Sequence, residues 1–147
     1  MTEPVNLYDV AVEGDPADPP GYRARMARLG PSIGAERLGA SVYELGDGQR
    51  SYPYHFHHGI EEWLLVVAGS PLVRTPDGKR VLREGDVLCF PAGPGGGHQV
   101  IGPGTVLILS ETRALDAVEY PDSGKIGVRP PGKIFRIAES VDYWDGE

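Results

Sequence analysis

Glycine and proline interrupt this sequence at short intervals along its whole length. The 147 residues include 21 glycines and 14 prolines, and the apolar runs between them are short. A strand needs only a few residues, whereas a stable helix needs about ten or more, so this spacing favours short strands joined by turns. The sequence therefore predicts an all-β fold without long helices.

Several of the apolar runs have the two-residue period of a strand with one buried face. In residues 37–45, Leu38, Ala40 and Val42 alternate with less apolar neighbours, as in a half-buried strand. The turn at 76–78, Pro-Asp-Gly, predicts a hairpin around it. Together the runs predict a series of antiparallel strands that suits a barrel or a sandwich. The predicted strands are 37–45, 51–57, 62–68, 71–75, 79–82, 87–90, 99–101 and 105–110.

The two ends of the chain are less regular. Residues 1–21 are rich in proline and acidic side chains, which predicts an extended arm, and residues 22–29 predict a short helix. After residue 114 only 118–120 and 134–137 are expected to be extended. The aromatic segment 141–147 is expected to pack back over the barrel.

Charge and cysteine content exclude several classes of function. The net charge is −7 and there is no basic run, which argues against binding to nucleic acid or to an anionic membrane. The single cysteine, Cys89, excludes an internal disulfide, and no apolar stretch is long enough for a signal peptide or a membrane span. We therefore expect a cytoplasmic protein.

Three of the four histidines lie close together, at 55, 57 and 58. His55 and His57 are two residues apart, so in a strand they project to one face, where both can contact one ion. His98 lies far along the chain and can join them only if the fold closes on itself. His58 is expected to be exposed.

Two neighbouring glutamates compete for the carboxylate of this cluster. In an unbroken strand, residues an even number of positions apart share a face, so Glu61 would lie on the same side as the histidines. A turn at residues 59–60 would shift this alternation by one residue and favour Glu62. Glu61 would then be a nearby group able to hold a histidine in one tautomer.

These residues carry a resemblance to the two sequence motifs of the cupin superfamily. Five residues resemble the first motif, G(x)5HxH(x)3-4E(x)6G, with one extra residue after the first glycine: Gly48, His55, His57, Glu62 and Gly69. Four residues resemble the second motif, G(x)5PxG(x)2H(x)3N, with four residues instead of two before the histidine and Gly102 in place of the asparagine: Gly85, Pro91, Gly93 and His98.

The resemblance implies a double-stranded β-helix, the jelly-roll barrel of cupins, as one domain over residues 1–147. The barrel is expected at about 37–113, with an N-terminal arm at 1–36 and a C-terminal extension at 114–147. The nearest likeness is to small single-domain bacterial cupins of uncharacterised function, some of which are labelled sugar-phosphate isomerases. The implied metal ligands are His55, His57, Glu62 and His98.

Neutral imidazoles and one carboxylate suit one divalent transition metal ion, such as Mn, Fe, Co, Ni, Cu or Zn. Four protein ligands on an octahedral ion leave about two positions open. We therefore expect the protein to bind or act on a small oxygen-rich molecule, by isomerase or dioxygenase chemistry. The alternative is a binding protein without catalysis.

Further residues are candidates for the site and for an interface. Glu61 and Tyr54 are candidate proton carriers, and Tyr52 and Gln99 are candidate pocket residues. Tyr43 opposes Val42 in parity and is expected to face the other way. Residues 62–68 are apolar on both faces, so both need cover, from a second sheet and the arms or from another subunit, which predicts a homodimer.

Overall fold

The computed structural model describes residues 3–147 and shows an all-β chain. Within those residues no helix is long and apolar enough to cross a membrane. The strands are β1 (Glu13–Gly14), β2 (Arg25–Arg28), β3 (Leu38–Leu45), β4 (Phe56–His57), β5 (Glu62–Gly69), β6 (Leu72–Thr75), β7 (Gly78–Val81), β8 (Val87–Phe90), β9 (Gln99–Ile101), β10 (Gly104–Glu111), β11 (Asp116–Tyr120), β12 (Lys125–Arg129) and β13 (Lys133–Arg136). The helical turns are short 3-10 segments: Pro31–Ile33, Pro94–Gly96, Pro121–Ser123 and Ile137–Glu139.

The strands form two layers. One layer is a six-stranded sheet in the order β1-β2-β3-β10-β5-β8. The other consists of a four-stranded sheet, β13-β12-β11-β4, and a three-stranded sheet, β7-β6-β9. A bridge between His55 and His98 joins these two smaller sheets. The predicted all-β jelly roll is confirmed.

The core lies between the layers and is built by alternation. Leu64, Val66 and Val106 of the six-stranded sheet are at most 1% exposed, and they belong to one buried cluster with Val73 and Val100 of the opposite layer. Because successive side chains of a strand point to opposite faces, every second residue of β5 and β10 is committed to this core.

The other face of the six-stranded sheet is also apolar. Leu65 lies between Leu107 and Val87, and in the next row Trp63 lies between Leu109 and Cys89. Trp63 is 47% exposed and Val87 is 56% exposed. We call Trp63, Leu65, Val87, Leu107 and Leu109 the outer apolar face.

The predicted helix at 22–29 is wrong, because this segment forms β2 and pairs with β3. An isolated helix of this length is unstable in water, whereas a strand at this position gains a hydrogen-bonded partner. Ala24 is buried, and the Arg25 guanidinium makes an ion pair with the Glu44 carboxylate across the two strands.

Three further segments differ from expectation. Of the predicted strand at 51–57, only β4 forms a ladder, since Pro53 lacks a backbone N–H. Strand β12 was not predicted, and it pairs with both β11 and β13. The segment 141–147 does not pack over the barrel, since Tyr143 is 86% exposed. Asp142 and Asp145 flank its two adjacent aromatic rings, so burying the rings would also desolvate charge.

Candidate metal centre

Three histidines and one carboxylate converge on the inner side of the barrel. The Oε2 atom of Glu62 lies 3.9 Å from His55 Nε2, 3.4 Å from His57 Nε2 and 3.3 Å from His98 Nε2. The ligand atoms of His55, Glu62 and His98 all lie within 4.8 Å of one another. The structure thus brings together the four residues that the sequence proposes as metal ligands.

Backbone geometry delivers each of these side chains. His55 and His57 flank Phe56, so the alternation of the strand points both rings to the same side. His98 faces His55 through paired backbone hydrogen bonds, N to O, of 3.2 and 2.9 Å. Glu62 is the first residue of β5 and lies on the inner face of the strand.

Glu61 lies outside this cluster. Its Oε1 accepts a hydrogen bond of 2.9 Å from the Trp63 indole N–H, on the outer side of the sheet. The turn before β5 resets the parity, so the structure places Glu62, and not Glu61, beside the histidines. Glu61 is therefore not in position to carry a proton at the cluster or to hold a histidine there.

In each of the three histidines the second ring nitrogen, Nδ1, already has a hydrogen-bond partner. Nδ1 of His55 donates to the Pro53 carbonyl at 3.0 Å, and Nδ1 of His98 donates to the Gly96 carbonyl at 2.9 Å. Nδ1 of His57 lies 2.6 Å from the Asp116 carboxylate. Carbonyl and carboxylate oxygens only accept, so each Nδ1 carries the proton and each Nε2 presents a lone pair to the centre.

This donor set fits a divalent cation. His98 is fully buried, and its Nε2 has no hydrogen-bond partner among residues 3–147. Three nitrogen lone pairs around one carboxylate oxygen repel one another unless a positive charge lies between them, and an unpaired buried nitrogen is costly. Imidazole nitrogens with one carboxylate are the ligands that transition metals such as Zn, Fe and Ni accept.

The electrostatics act in opposite directions on two of the histidines of the cluster. Burial, reinforced by the nearby His98, lowers the pKa of His55 to about 4, so this ring is neutral at pH 7. Burial alone would raise the pKa of Glu62, but His57 and His98 outweigh it and hold the pKa well below its usual value. For His57, Glu62 and Asp116 overcome the effect of burial and raise the pKa. His57 is thus the histidine at which a proton competes most strongly with a metal.

Asp116 is a functional residue that sequence reasoning missed. Its side chain is 0% exposed at the start of β11. Besides His57 Nδ1, it accepts hydrogen bonds from the Gly59 N–H at 3.2 Å and from Arg129 Nη2 at 3.1 Å. Burial alone would raise the pKa of Asp116, but His57 and Arg129 lower it. An ionised Asp116 therefore fixes the ring of His57, and the only sequence signal for it is an acid before a short apolar strand.

Aromatic rings hold the buried histidines. The Phe90 ring stacks on His98 with 3.8 Å between ring centroids, and Tyr52 meets His55 edge-on at 4.7 Å. The Tyr52 hydroxyl is buried and has no hydrogen-bond partner within residues 3–147. Gln99 donates from Nε2 to the Tyr52 carbonyl at 2.9 Å, so it supports the backbone of Tyr52.

The structure also gives the positions of three further side chains whose orientation the sequence analysis considered. Tyr54 packs under the Arg74 guanidinium, 4.0 Å from its ring centroid, and does not border the cavity described below. His58 is exposed, as predicted, and lies 3.1 Å from the Glu119 carboxylate. Tyr43 faces away from Val42 as predicted, but this side of the sheet borders the cavity and the core, so the prediction that Tyr43 points away from the pocket is wrong. Val42 is buried on the opposite face of the sheet.

The loop before His98 depends on a glycine. A Cβ at Gly96 would collide with the Pro91 carbonyl oxygen. The Gly96 carbonyl is also the acceptor for His98 Nδ1. The two extra residues before His98, relative to the cupin motif, are thus taken up in the tight turn Pro94–Gly96 that orients its ring.

A cavity of about 380 Å³ opens from the cluster. Its walls include Tyr43, Tyr52, His55, His57, Glu62, Ile108, Val118, Tyr120, Gly127, Val128, Arg129, Gly132, Lys133 and Ile134. A second cavity of about 500 Å³ reaches His57 and Glu62 from the side of β3. The cluster is therefore accessible to a small molecule.

Residues 41–110 match a family model described as the cupin domain. A sugar phosphate isomerase from a cupin superfamily of Silicibacter pomeroyi DSS-3 has a TM-score of 0.81 at 22% identity, over 97% of this chain and 98% of that chain. A protein of Acidithiobacillus ferrooxidans ATCC 23270, provisionally named a sugar phosphate isomerase, has a TM-score of 0.76 at 24% identity, over 86% of this chain and 84% of that chain. The polyketide cyclase RemF of Streptomyces resistomycificus has a TM-score of 0.61 at 23% identity, over 77% of this chain and 81% of that chain. No curated protein matches the sequence.

Replacing Asp116 with Asn tests its role as the support of His57. The amide keeps the shape of the side chain but weakens the hold on Nδ1–H, so we expect metal affinity to fall by about 10-fold to 100-fold. Competition with a fluorescent chelator measures the affinity, and Glu61→Gln is the matched control because Glu61 lies outside the cluster. Equal affinities in the two variants would contradict the role of Asp116.

Proposed function

We propose that the chain is a metal-binding member of the cupin superfamily, on the basis of the cupin-domain match at residues 41–110. The proposed ligands of one divalent transition metal ion are His55, His57, Glu62 and His98. The ion would bind, or act on, a small oxygen-rich molecule in the adjoining cavity.

One observation carries this proposal: three Nε2 atoms surround a single Glu62 oxygen, and each histidine has its Nδ1 committed elsewhere. A structural histidine would use its free nitrogen in a hydrogen bond. Here His98 Nε2 is buried without one among the described residues. The arrangement is preorganised for a cation before any cation arrives.

When bound, the metal would supply Lewis-acid polarisation of a ligand oxygen or activation of dioxygen at its open positions. Asp116 keeps the His57 ring in place, and the tyrosines at 43, 52 and 120 confine a ligand to the cluster. Burial raises the pKa of Tyr52 well above its usual value, so its hydroxyl stays protonated. The buried Tyr52 hydroxyl therefore adds no charge beside the cluster.

The names of the similar structures support an oxygen-rich ligand, since sugar phosphates and polyketides both carry many oxygens. Identities of 22% and 23% show a shared fold alone. Isomerase or oxygenase chemistry accordingly rests on the open metal positions and stays a proposal.

A binding protein without catalysis is the second candidate, and the positions of Glu61 and Tyr54 favour it. Both were candidate proton carriers, and both lie outside the cavity. A turnover screen of the Fe, Mn and Ni forms against keto acids, sugar phosphates and catechols separates the two candidates. Tight binding without product from any form would support the binding protein.

The single cysteine, Cys89, is exposed on the outer side of the six-stranded sheet. Cys89 points outward because its neighbours Leu88 and Phe90 take the inward positions of β8. A free exposed thiol suits a reducing compartment, which supports a cytoplasmic location as part of this proposal.

Replacing His57 with Ala tests the metal centre. It removes one Nε2 ligand, so we expect bound metal to fall at least about tenfold after desalting, with an unchanged far-UV circular dichroism spectrum. Inductively coupled plasma mass spectrometry measures the metal. His58→Ala is the matched control, because His58 is the neighbouring histidine and contacts Glu119 instead. Full occupancy in His57→Ala would contradict the site.

Metal occupancy should rise with pH. Glu62 and Asp116 raise the pKa of His57, so a proton on its Nε2 competes with the metal as the pH falls. We expect occupancy to be lost progressively as the pH falls through the raised pKa of His57, a window that begins above the ordinary histidine value of about 6.5. Equilibrium dialysis over a pH series measures this, with circular dichroism to confirm folding at each pH. Full retention in folded protein at about pH 4 would contradict a histidine site.

We also propose that the protein is a homodimer through the outer apolar face. This face is continuous across three strands, and a second copy would cover it by a twofold axis with the same face. We propose a second copy as the partner because a twofold axis would bring the outer apolar faces of the two copies together. The contact would be apolar on both sides, and it would not bring like charges together.

Replacing Val87 with Glu tests this interface. A carboxylate in the outer apolar face would be buried next to its twofold mate, so we expect dissociation to a monomer. The matched control is Val81→Glu on β7, since Val81 is also exposed, at 64%, but lies off the face. Light scattering coupled to size-exclusion chromatography measures the mass. A monomeric unmodified protein, or dissociation by both substitutions, would contradict the proposal.

A further inference from the structure

We propose that the cavity of about 380 Å³ takes a ligand with a flat, apolar and uncharged body, such as a phenolic ring, and not a phosphorylated sugar. This inference rests on the proposed function, because it names the ligand class of the same site. The oxygens at one end of the ligand would face the cluster, and its ring would lie against the inner face of the four-stranded sheet.

Strand pairing shows which side chains of the four-stranded sheet face the cluster. Residues directly opposite each other in paired strands share one face of the sheet. Val118 pairs with His57 on one side and with Gly127 on the other, and Gly127 pairs with Ile134. Since the His57 ring belongs to the cluster, Val118, Gly127 and Ile134 form a row on the cluster side. The wall along this row is uncharged and apolar.

The charged residues on the border of this cavity, as far as the structure describes the chain, are either paired or turned away. Glu62 belongs to the cluster, and Arg129 is paired with the buried Asp116 carboxylate. Lys133 pairs with Val128, which is out of phase with the row, so its side chain lies on the opposite face of the sheet. A phosphate is bound by cations or N–H donors that are free to meet its oxygens. This cavity therefore does not favour a phosphate.

The second cavity, on the side of β3, has no excess of positive charge either. Within residues 3–147 its border includes three arginines and three glutamates: Arg28, Arg113, Arg129, Glu36, Glu62 and Glu111. Arg113 is ion-paired with Glu111. A phosphate that approached the cluster from this side would thus meet as many acids as cations.

The remaining walls of the first cavity are aromatic or apolar. Tyr43 and Ile108 border it from the six-stranded sheet, and Tyr120 borders it from β11. The Tyr120 ring is stacked on His55, with 5.9 Å between the ring centroids. The volume of about 380 Å³ lies toward the small end of ligand pockets, which span roughly 300–1,000 Å³. These walls suit a compact ring better than a hydroxyl-rich sugar.

Gly127 leaves a gap at the centre of the row. It lies in β12 with a backbone outside the left-handed region, so its own conformation does not require glycine. A Cβ at this position would lie 3.5 Å from Ile134 Cγ1 and 3.8 Å from Tyr120 Cε2, which are ordinary contacts. Glycine weakens the interior of a strand and often marks a place where a ligand approaches the backbone closely. The missing side chain therefore leaves room over β12 for a flat ring.

Calorimetric titration of the full chain, incubated with zinc and desalted, tests this inference with two probes. The probes are catechol, a flat ring with neighbouring oxygens, and D-glucose 6-phosphate. Each is titrated into the unmodified protein, Gly127→Ala, Gly127→Val and the control Ala117→Val. Ala117 pairs with Val128, so its side chain lies on the face opposite to the row. Metal content and circular dichroism are measured for every sample, and each titration is repeated after chelator treatment.

We expect catechol to bind at least about tenfold more tightly than D-glucose 6-phosphate, because its ring is removed from water against apolar walls. Gly127→Ala should weaken catechol about threefold and Gly127→Val at least about tenfold, since the added carbons take the place of the ring. Ala117→Val should match the unmodified protein. Gly127 and Ala117 are not ligands of the cluster, so the metal content should be the same in all the variants.

Two results would overturn the inference. One is catechol binding no more tightly than D-glucose 6-phosphate, including no binding of either probe. The other is equal catechol affinity in the Gly127 variants and in Ala117→Val; if Gly127→Val does not fold, Gly127→Ala decides. The metal proposal fails separately, if the incubated protein retains no metal or if chelation leaves catechol binding unchanged. A Gly127 effect that survives chelation would support the ring site and count against a ligand held by the metal.

Discussion

The fold and the site both depend on one pair of backbone hydrogen bonds, between His55 and His98. These bonds join the four-stranded and three-stranded sheets into the second layer of the barrel. They also place two histidine rings side by side, although 42 positions separate them in the sequence. The pairing that joins these two sheets thus also brings two rings of the cluster together.

The support behind the ligands comes from three different sources. Backbone carbonyls at Pro53 and Gly96 fix His55 and His98, so their orientation is built into the loops that precede them. His57 instead depends on Asp116, which lies outside the residues 41–110 that match the cupin domain. Arg129 holds Asp116 in turn. The C-terminal strands therefore complete a site whose ligands all come from the matched region.

The sequence predicted what is determined locally. Alternation predicted β3, a continuous apolar run predicted β5, and the Pro-Asp-Gly turn predicted the hairpin of β6 and β7. Residues 22–29 were assigned to a helix because their pattern is ambiguous in isolation, and pairing with β3 decides the outcome. The preference for Glu62 over Glu61 depended on a turn that the glycine at 59 signals.

Asp116 was not predictable in this way. Nothing near it in the sequence marks it as a partner of His57, 59 positions earlier, and only the pairing of β4 with β11 brings them together. The same holds for Arg129, which reaches Asp116 only because β12 pairs with β11. Contacts between distant strands carry no local signal, and in this chain they supply the groups around the ligands.

The central claim is that the three Nε2 atoms and Glu62 hold one divalent metal ion. Anomalous X-ray diffraction at metal absorption edges, on crystals of protein purified without added metal, tests it most directly. The account predicts one anomalous peak about 2.0–2.2 Å from Nε2 of His55, His57 and His98 and from a Glu62 carboxylate oxygen. No peak at this position after incubation with Mn, Fe, Ni and Zn, or an ion bound only elsewhere, would contradict it.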